Sequence, residues 1–376
     1  MIRNRTATFA TAILCAAGAR SACAQIAQGA SKYLGNITVN RNILKDFGTY
    51  WNQITPENEG KWQYVEGLRD SMNWAGLDRI SSYAKAQGIP WTFESLLWGA
   101  SLPAWMSLPP DTLKVEMEEW FTLAGARYPE VATVVVVNEA LPGHASAGLL
   151  SAALGGAGSS GYDWMIRAFQ MARTAFPNAK LILNDYNTIE YGTDNAAFLK
   201  SVRALLAAKA PIDGIGTEAH ESFRRPVDTL KKYLDSLAVT GLPIYITEFD
   251  IDASNDAKQD SIMEVQFPLF WNHPDVAGIT YWGYIAGKTW RTGTGLKNQD
   301  GTERPALVWL KDYVAAHPNP PTPIHNTTGI VRNGTSQSGL GGRLEIRSSG
   351  GRLVLGIQRG HEFVAIGVAG RTRSIP

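Results

Sequence analysis

Two glutamates, Glu139 and Glu248, each follow a short run of β-branched or aromatic residues. The runs are Val134–Val137 and Ile244–Thr247, and both are too short for helices, so they predict strands that end at the two acids. In a (β/α)8 barrel the carboxyl ends of the strands form the rim that carries catalytic residues. The two runs therefore predict a barrel that presents two carboxyl groups to one substrate.

The rest of the chain alternates between strand and helix patterns. Eight segments have strand composition: 35–39, 51–55, 91–98, 131–137, 180–183, 212–215, 243–247 and 276–281. Helical periodicity marks 77–87, 113–126, 164–175, 197–208, 230–237, 262–271 and 305–316. Such an α/β alternation favours a (β/α)8 TIM barrel over an open doubly wound sheet. No glycine-rich phosphate loop follows the first strand, which disfavours a nucleotide-binding fold.

Composition divides the chain into four segments. Residues 1–24 contain Arg3 and Arg5 before a small apolar run and end in Ala22-Cys23-Ala24, a pattern typical of a secretory signal peptide. Residues 25–317 form the predicted barrel, 318–329 a proline-rich linker that we expect to be extended and exposed, and 330–376 a short β segment. We therefore expect a secreted protein. Both cysteines lie in the leader, so the exported chain would have no disulfide or thiolate.

The charge distribution argues against several kinds of partner. Lys and Arg number 35 and Asp and Glu 34, but the C-terminal residues 330–376 hold seven Arg and only two Glu. The central body is therefore acidic, which disfavours nucleic acid as a ligand because phosphate binding needs clustered basic residues. The six histidines are scattered without metal-ligand spacing, so we expect no metal and no cofactor. We expect a monomer with no membrane contact beyond export.

Polar and aromatic side chains accompany the two acids at the predicted strand ends. Sugars present hydroxyl edges and apolar C–H faces, so a glycan cleft needs both kinds of side chain. The candidates are Glu57, Asn58, Lys61, Trp98, Asn138, Asn184, Tyr186, His220, Trp282 and Trp290. Each alone has an ordinary structural explanation, since tryptophan is usually a core residue and a strand-end Asn usually caps a helix. Their convergence on one rim indicates a glycan site.

Seven motifs in order resemble the family-ten glycoside hydrolases, whose main activity is endo-1,4-β-xylanase. The motifs are Lys32-Tyr-Leu-Gly-Asn36, Trp51 to Trp62, Asn138-Glu139-Ala, Asn184-Asp-Tyr-Asn187, Asp213 to His220, Glu248-Phe-Asp250 and Tyr281-Trp282-Gly to Arg291. The resemblance covers about residues 30 to 317 and implies xylan or xylo-oligosaccharide as the substrate. The tail, by contrast, resembles the short sorting domains of some secreted bacterial enzymes.

The resemblance also implies roles for individual residues. Glu139 would be the general acid and base, and Glu248 the nucleophile of a retaining double displacement. His220, oriented by Asp250, would bond to Glu248. Asn138 would contact the sugar 2-hydroxyl, while Glu57, Asn58 and Lys61 would bind the glycone side. Trp282 and Trp290 would enclose the central sugar.

Five positions depart from the family pattern. Glu94 and Gly99 stand where the family usually has His, Glu218 and Ser101 where it has Gln, and Val135 where it has Asp. Strand parity places Glu94, Leu96 and Trp98 on one face, Val135, Val137 and Glu139 on another, and Glu218 with His220. We therefore expect Glu94, Val135 and Glu218 to point inward.

These departures have two expected consequences. The extra carboxyl groups of Glu94 and Glu218 should raise or couple the titrations of the site. The small residues Gly99 and Ser101 would either weaken glycone-side affinity or leave room for substituents on the substrate. Two other functions stay open: a related barrel glycosidase acting on decorated xylan or another β-glucan, and a glycan-binding protein with an impaired active site.

Overall fold

The chain divides into two compact units, Met1–Ile324 and His325–Pro376. The computed structural model describes residues 25–323, and in the second unit the backbone of the strands 343–349, 352–359 and 362–371. The predicted leader, residues 1–24, lies outside the described residues, as does the predicted linker from 324 onward. No helix in the described part of the chain is long and apolar enough to cross a membrane.

The first unit is built on one parallel sheet of nine strands. They are β1 (Tyr33–Ile37), β2 (Ile54–Thr55), β3 (Thr92–Phe93), β4 (Leu97–Trp98), β5 (Thr133–Asn138), β6 (Lys180–Tyr186), β7 (Gly214–Ala219), β8 (Ile244–Phe249) and β9 (Val276–Tyr281). The order is β2-β1-β9-β8-β7-β6-β5-β3, and β4 also pairs with β5. A parallel bridge between Ile54 and Trp91 joins the two ends of the sheet. The predicted (β/α)8 barrel is confirmed.

The third strand position of this barrel is divided into two short strands, β3 and β4, although the sequence predicted one strand over 91–98. β3 and β4 both pair with β5, and residues 94–96 between them leave the regular ladder. The Glu94–Ser95 peptide is cis. Leu96 packs in the large hydrophobic core, whereas Glu94 lines a small space inside the barrel. The expectation that Leu96 shares the face of Glu94 was wrong, because parity holds only within an unbroken strand.

Helices surround the barrel at the predicted places. They are α1 (Phe47–Tyr50), α2 (Trp62–Val65), α3 (Ala75–Gln87), α4 (Pro110–Arg127), α5 (Gly148–Ala153), α6 (Asp163–Ala175), α7 (Gly192–Ala207), α8 (Val227–Ala238), α9 (Asp256–Asn272) and α10 (Pro305–Ala316). Proline at the first position starts α4 and α10, and left-handed Gly88 ends α3. The short helices α1, α2 and α5 were not predicted, because they span four to six residues and show no period.

The barrel interior is polar in its lower part. Gln53 donates through Nε2 to Thr55 Oγ1 at 2.8 Å and Thr92 Oγ1 at 3.0 Å, and it accepts from Thr280 Oγ1 at 3.1 Å. A gap of about 10 Å³ remains beside this layer, enough for about one water molecule. Because each polar group has a partner, the layer forms a rigid floor below the rim.

Two β-bulges reset the side-chain alternation just below the rim. In β5 the register with β6 shifts between Val135 and Val137, so Val135 packs inside the barrel with Ile182 while Val137 joins the large core. The prediction that Val135 and Val137 share a face was therefore wrong, although Val135 does point inward as expected. A second shift lies between β7 and β8, where Thr247 is the extra residue of β8, and it aligns Glu218 with Glu248. An extra residue re-aims the side chains that follow it.

The start of the predicted linker lies against the barrel. Ser31 Oγ donates to Pro320 O at 2.6 Å, and Trp271 Nε1 donates to His317 O at 2.9 Å. Pro320 is buried although its neighbours are exposed. The expectation of an exposed linker thus holds for most of residues 318–323 but not for Pro320, because Ser31 fixes its carbonyl.

The second unit contains a three-stranded antiparallel sheet. Its strands are β10 (Arg343–Ser349), β11 (Arg352–Arg359) and β12 (Glu362–Arg371), in that order. The pairing of β11 with β12 shifts register twice. The short β segment predicted for residues 330–376 therefore contains three strands in its described part.

Close packing between α4 and α6 generates a stability prediction. A Cβ atom on Gly125 would lie 2.3 Å from Ala175 O, a backbone atom at the end of α6. Gly125→Ala should therefore lower the free energy of unfolding by about 1–3 kcal/mol, despite the better helix propensity of alanine. Chemical denaturation would measure this. Gly148→Ala in α5 is the control, because its Cβ would meet nothing nearer than 3.8 Å. Equal stability of both variants would contradict the prediction.

Candidate active site

The predicted site residues lie at the rim formed by the carboxyl ends of the strands. Glu139 follows β5, His220 follows β7, and Asp250 follows β8, which carries Glu248 near its end. The others are placed as follows: Glu57, Asn58 and Lys61 between β2 and α2, Trp98 at the end of β4, Asn138 at the end of β5, Asn184 and Tyr186 in β6, Glu218 in β7, and Trp282 and Trp290 after β9. Glu94, between β3 and β4, lies deeper, at a small space inside the barrel that Trp282 also borders.

Glu139 leaves its strand through an unusual backbone conformation. Its φ is +50°, in the left-handed region that residues other than glycine rarely adopt. Its N–H donates to Asn184 O of β6 at 3.0 Å, which holds this conformation in place. Such an outlier costs free energy and persists where the surroundings enforce it, often at functional sites.

Hydrogen bonds extend from Glu139 across the neighbouring strands. Asn138 Nδ2 lies 3.5 Å from Glu139 Oε1, and Asn138 Oδ1 accepts from Asn184 Nδ2 at 2.8 Å. Asn184 Nδ2 also donates to Glu218 Oε1 at 2.9 Å, while its Oδ1 accepts from Thr247 Oγ1 at 2.7 Å. Because the amide of Asn184 is bonded on both sides, it fixes the positions of β5 and β7 side chains relative to each other.

Glu248 is held at the other end of this arrangement by a histidine. His220 Nε2 lies 3.1 Å from Glu248 Oε2, and Nδ1 lies 3.0 Å from Asp250 Oδ2. Burial lowers the pKa of His220, but the charges of Asp250 and Glu248 outweigh it and raise the pKa to about 10. His220 therefore places a positive charge between two carboxylates at neutral pH.

Tryptophan side chains border this charged group. Trp290 Nε1 donates to Asp250 Oδ2 at 2.6 Å, and its ring centroid lies 4.6 Å from that of His220. Trp290 is 51% exposed, so most of its outer face is free, whereas Trp282 is buried with its centroid 6.3 Å from His220. The two rings form a wall beside Glu248.

The expected crowding of carboxyl groups is present. Burial, and then the charge of Glu248, raises the pKa of Glu139 to about 7. The same two causes raise the pKa of both Glu94 and Glu218 well above the usual range of a carboxyl. The site therefore contains several acids that cannot all ionise at once.

Lys61 is the nearby cation on the opposite side of the rim. Its Nζ donates to Asn58 Oδ1 at 3.2 Å and lies 4.5 Å from the centroid of the Trp98 ring. Burial raises the pKa of Glu57, and the charge of Lys61 opposes that rise. Lys61, Asn58 and Glu57 thus form a polar patch next to an aromatic face.

The expectation of extra room at Gly99 and Ser101 was wrong. A Cβ on Gly99 would lie 1.9 Å from Ser146 O, so the backbone of the loop after β5 already occupies that space. Ser101 is 2% exposed and therefore buried as well. Glycine is needed at position 99 because two loops approach each other there.

Sequence reasoning missed the residues that hold this loop in place. Asp185 accepts from the backbone N–H of Leu141 at 3.0 Å and lies 2.5 Å from His144 Nδ1. The His144 ring stacks on Tyr186 with centroids 3.7 Å apart. Asp185 lies in the recognised motif 184–187, but no role in holding a loop was predicted for it, and His144 lies in a loop without any pattern.

Two groups among the described residues have donor atoms close enough to hold a metal ion. One is Glu218, His220 and Glu248, and the other is Glu66, Asp70 and Glu116. Within each group the donor atoms lie within 4.8 Å of one another. The sequence did not predict the first group, because its members come from two strands that the bulge brings into register.

Known proteins are similar to this chain in both sequence and fold. The model of glycosyl hydrolase family 10 matches residues 18–313. Endo-1,4-beta-xylanase B of Cellvibrio japonicus is 44% identical over 283 residues, which are 75% of this chain and 45% of that protein. Endo-1,4-beta-xylanase 3 of Hypocrea jecorina is 30% identical over 250 residues, 64% of this chain and 69% of that protein.

The chain thus spans less than half the length of the Cellvibrio relative. Among solved structures, xylanase 10B from Thermotoga petrophila in complex with xylobiose superposes with a TM-score of 0.70. It is 23% identical, and the match covers 79% of this chain and 98% of that one. This likeness concerns the fold. The family model matches most of the chain, and the acids lie at the rim of a closed parallel barrel. The chain therefore belongs to glycosyl hydrolase family 10.

Proposed function

We propose that this protein hydrolyses internal β-1,4-xylosidic bonds of xylan by a retaining double displacement. The observation that carries the proposal is the contrast between the two acids. Glu139 has a pKa raised to about 7, so it holds a proton in weakly acidic solution, whereas Glu248 faces the charged His220 at 3.1 Å. Two carboxyl groups in different environments can serve as an acid and a nucleophile.

The reaction would proceed in two steps. Glu139 gives its proton to the leaving glycosidic oxygen while Glu248 forms a bond to the anomeric carbon. The Glu139 carboxylate then takes a proton from water, and the water oxygen displaces Glu248 from the same carbon. Each step inverts the anomeric centre, so the product retains the β configuration. His220, oriented by Asp250, stabilises the charge of Glu248 before and after the reaction.

The rim would supply contacts for a sugar chain beside the acids. Glu57, Asn58 and Lys61 would hydrogen-bond the glycone, and Asn138 would contact the 2-hydroxyl of the central sugar. Trp282 and Trp290 would cover its apolar face. Xylose lacks the hydroxymethyl group of glucose, so a wall of tryptophan favours xylan by excluding glucan. The printed names of the relatives, endo-1,4-beta-xylanases, support the same substrate.

We extend the proposal to the setting of the enzyme. Arg3, Arg5 and the following small apolar run support export of the chain, with the substrate outside the cell. The tail would then serve sorting rather than sugar binding, since residues 330–376 contain no Trp or Tyr to stack on a glycan. The catalytic unit would act as a monomer.

Hydrolysis and its stereochemistry can be measured together. The protein should release reducing sugar from xylan and arabinoxylan and much less from carboxymethyl-cellulose, and early proton NMR should show the β-anomer first. Glu248→Ala should lower kcat by at least about 1000-fold, because no other group forms the covalent intermediate. First appearance of the α-anomer would contradict retention. Equal, measurable rates for wild type and Glu248→Ala would contradict Glu248 as the nucleophile, and no sugar release by the wild type would leave the glycan-binding alternative.

The pH dependence follows from the state of Glu139. As an acid it must be protonated, so kcat/KM should be maintained below pH 7 and fall as pH rises through its pKa of about 7. Measurement of kcat/KM on a soluble xylo-oligomer, over about three pH units below and two above that pKa, gives the basic limb directly. A limb near the ordinary glutamate value of 4.5 would show that burial and Glu248 do not control this group.

Removal of one crowded acid tests which charge controls this limb. The pKa of Glu94 is raised well above the usual carboxyl range, so Glu94 is neutral while Glu139 titrates, and Glu94→Gln should leave the basic limb of kcat/KM in place. Glu118→Gln, at an exposed position of α4, is the matched control and should behave in the same way. A basic limb of Glu94→Gln shifted to lower pH would show that Glu94 carries a negative charge while Glu139 loses its proton.

A further inference from the structure

Three donor atoms converge at the junction of β7 and β8. His220 Nε2 lies 3.1 Å from Glu248 Oε2 and 3.9 Å from Glu218 Oε2, and all three lie within 4.8 Å of one another. Ligands around a tetrahedral Zn²⁺ with bonds of about 2.1 Å are separated by about 3.4 Å. The observed separations lie on either side of that value, so small rotations of the side chains would complete a three-ligand site.

Neighbouring groups already orient each donor. Glu218 is 2% exposed, and its Oε1 accepts from Asn184. Glu218 Oε2 has no hydrogen-bond donor among the described side chains and points toward His220 at 3.9 Å. His220 turns Nδ1 toward Asp250, which leaves Nε2 for a ligand. A carboxylate behind a histidine is the usual support of a metal-binding imidazole.

A bound divalent ion would take the place of the proton on His220 Nε2, while Nδ1–H stays bonded to Asp250.

We propose that Glu218, His220 and Glu248 bind a divalent transition-metal cation such as Zn²⁺, with a water as the fourth ligand, and that the bound ion inhibits the enzyme reversibly. Metal and substrate compete, because coordination occupies the carboxylate of Glu248. Only the inhibition rests on the proposed hydrolysis. The metal site itself depends on the geometry of the three side chains.

Calorimetric titration of the full chain with Zn²⁺, in a non-coordinating buffer near neutral pH, tests the site without any assay of activity. Glu218→Gln should bind Zn²⁺ at least about tenfold more weakly than wild type, since an amide replaces one anionic ligand. Glu139→Gln keeps all three ligands and should bind as wild type does. Asp70→Asn alters the other cluster, of Glu66, Asp70 and Glu116, and should also bind normally. Thermal unfolding establishes that each variant is folded.

Two further measurements connect the site to activity. A crystal grown with Zn²⁺ should show its anomalous signal among Glu218, His220 and Glu248. Xylan hydrolysis should fall as Zn²⁺ is added and return when EDTA removes it. Unchanged Zn²⁺ affinity in Glu218→Gln, or an anomalous signal elsewhere, would overturn the metal site. A protein that binds Zn²⁺ at these residues but does not hydrolyse xylan would contradict the proposed function and leave the metal site standing.

Discussion

The mouth of the barrel holds more carboxyl groups than it can keep ionised, and the other features of the site respond to this constraint. Burial raises the pKa of Glu139, Glu94 and Glu218, and the charge of Glu248 raises each of them further. The negative charge of Glu248 is stabilised directly by His220. Proton sharing is therefore the normal condition of this rim.

This constraint explains why the histidine and the asparagine occupy their positions. His220 is buried yet has a raised pKa, because Asp250 and Glu248 both face it. Asn184 is neutral and bonds to Asn138 and Glu218 at the same time, so it connects the neighbour of Glu139 to Glu218 without adding charge. A charged residue at position 184 would either repel the acids or remove the proton that Glu139 needs.

The backbone contributes through irregularities at the ends of the strands. The bulge in β5 and the positive φ of Glu139 turn the acid out of the strand alternation, and the extra residue in β8 brings Glu248 beside Glu218. Below them, the hydrogen-bonded layer around Gln53 gives a firm base. The regular strands thus provide rigidity, and the bulges and the positive φ of Glu139 set the directions of the acidic side chains.

The sequence alone determined the (β/α)8 barrel, most helices and the strand-end location of the acids. Composition and hydrophobic periodicity are local properties of the chain and can be read without the tertiary structure. It also indicated the inward direction of Glu94, Val135 and Glu218. Only the tertiary structure decided the break at Glu94, the two bulges, the loop that fills the space at Gly99 and the anchor formed by Asp185 and His144. These depend on which strands and loops lie side by side, and a pattern along one strand contains no information about its neighbour.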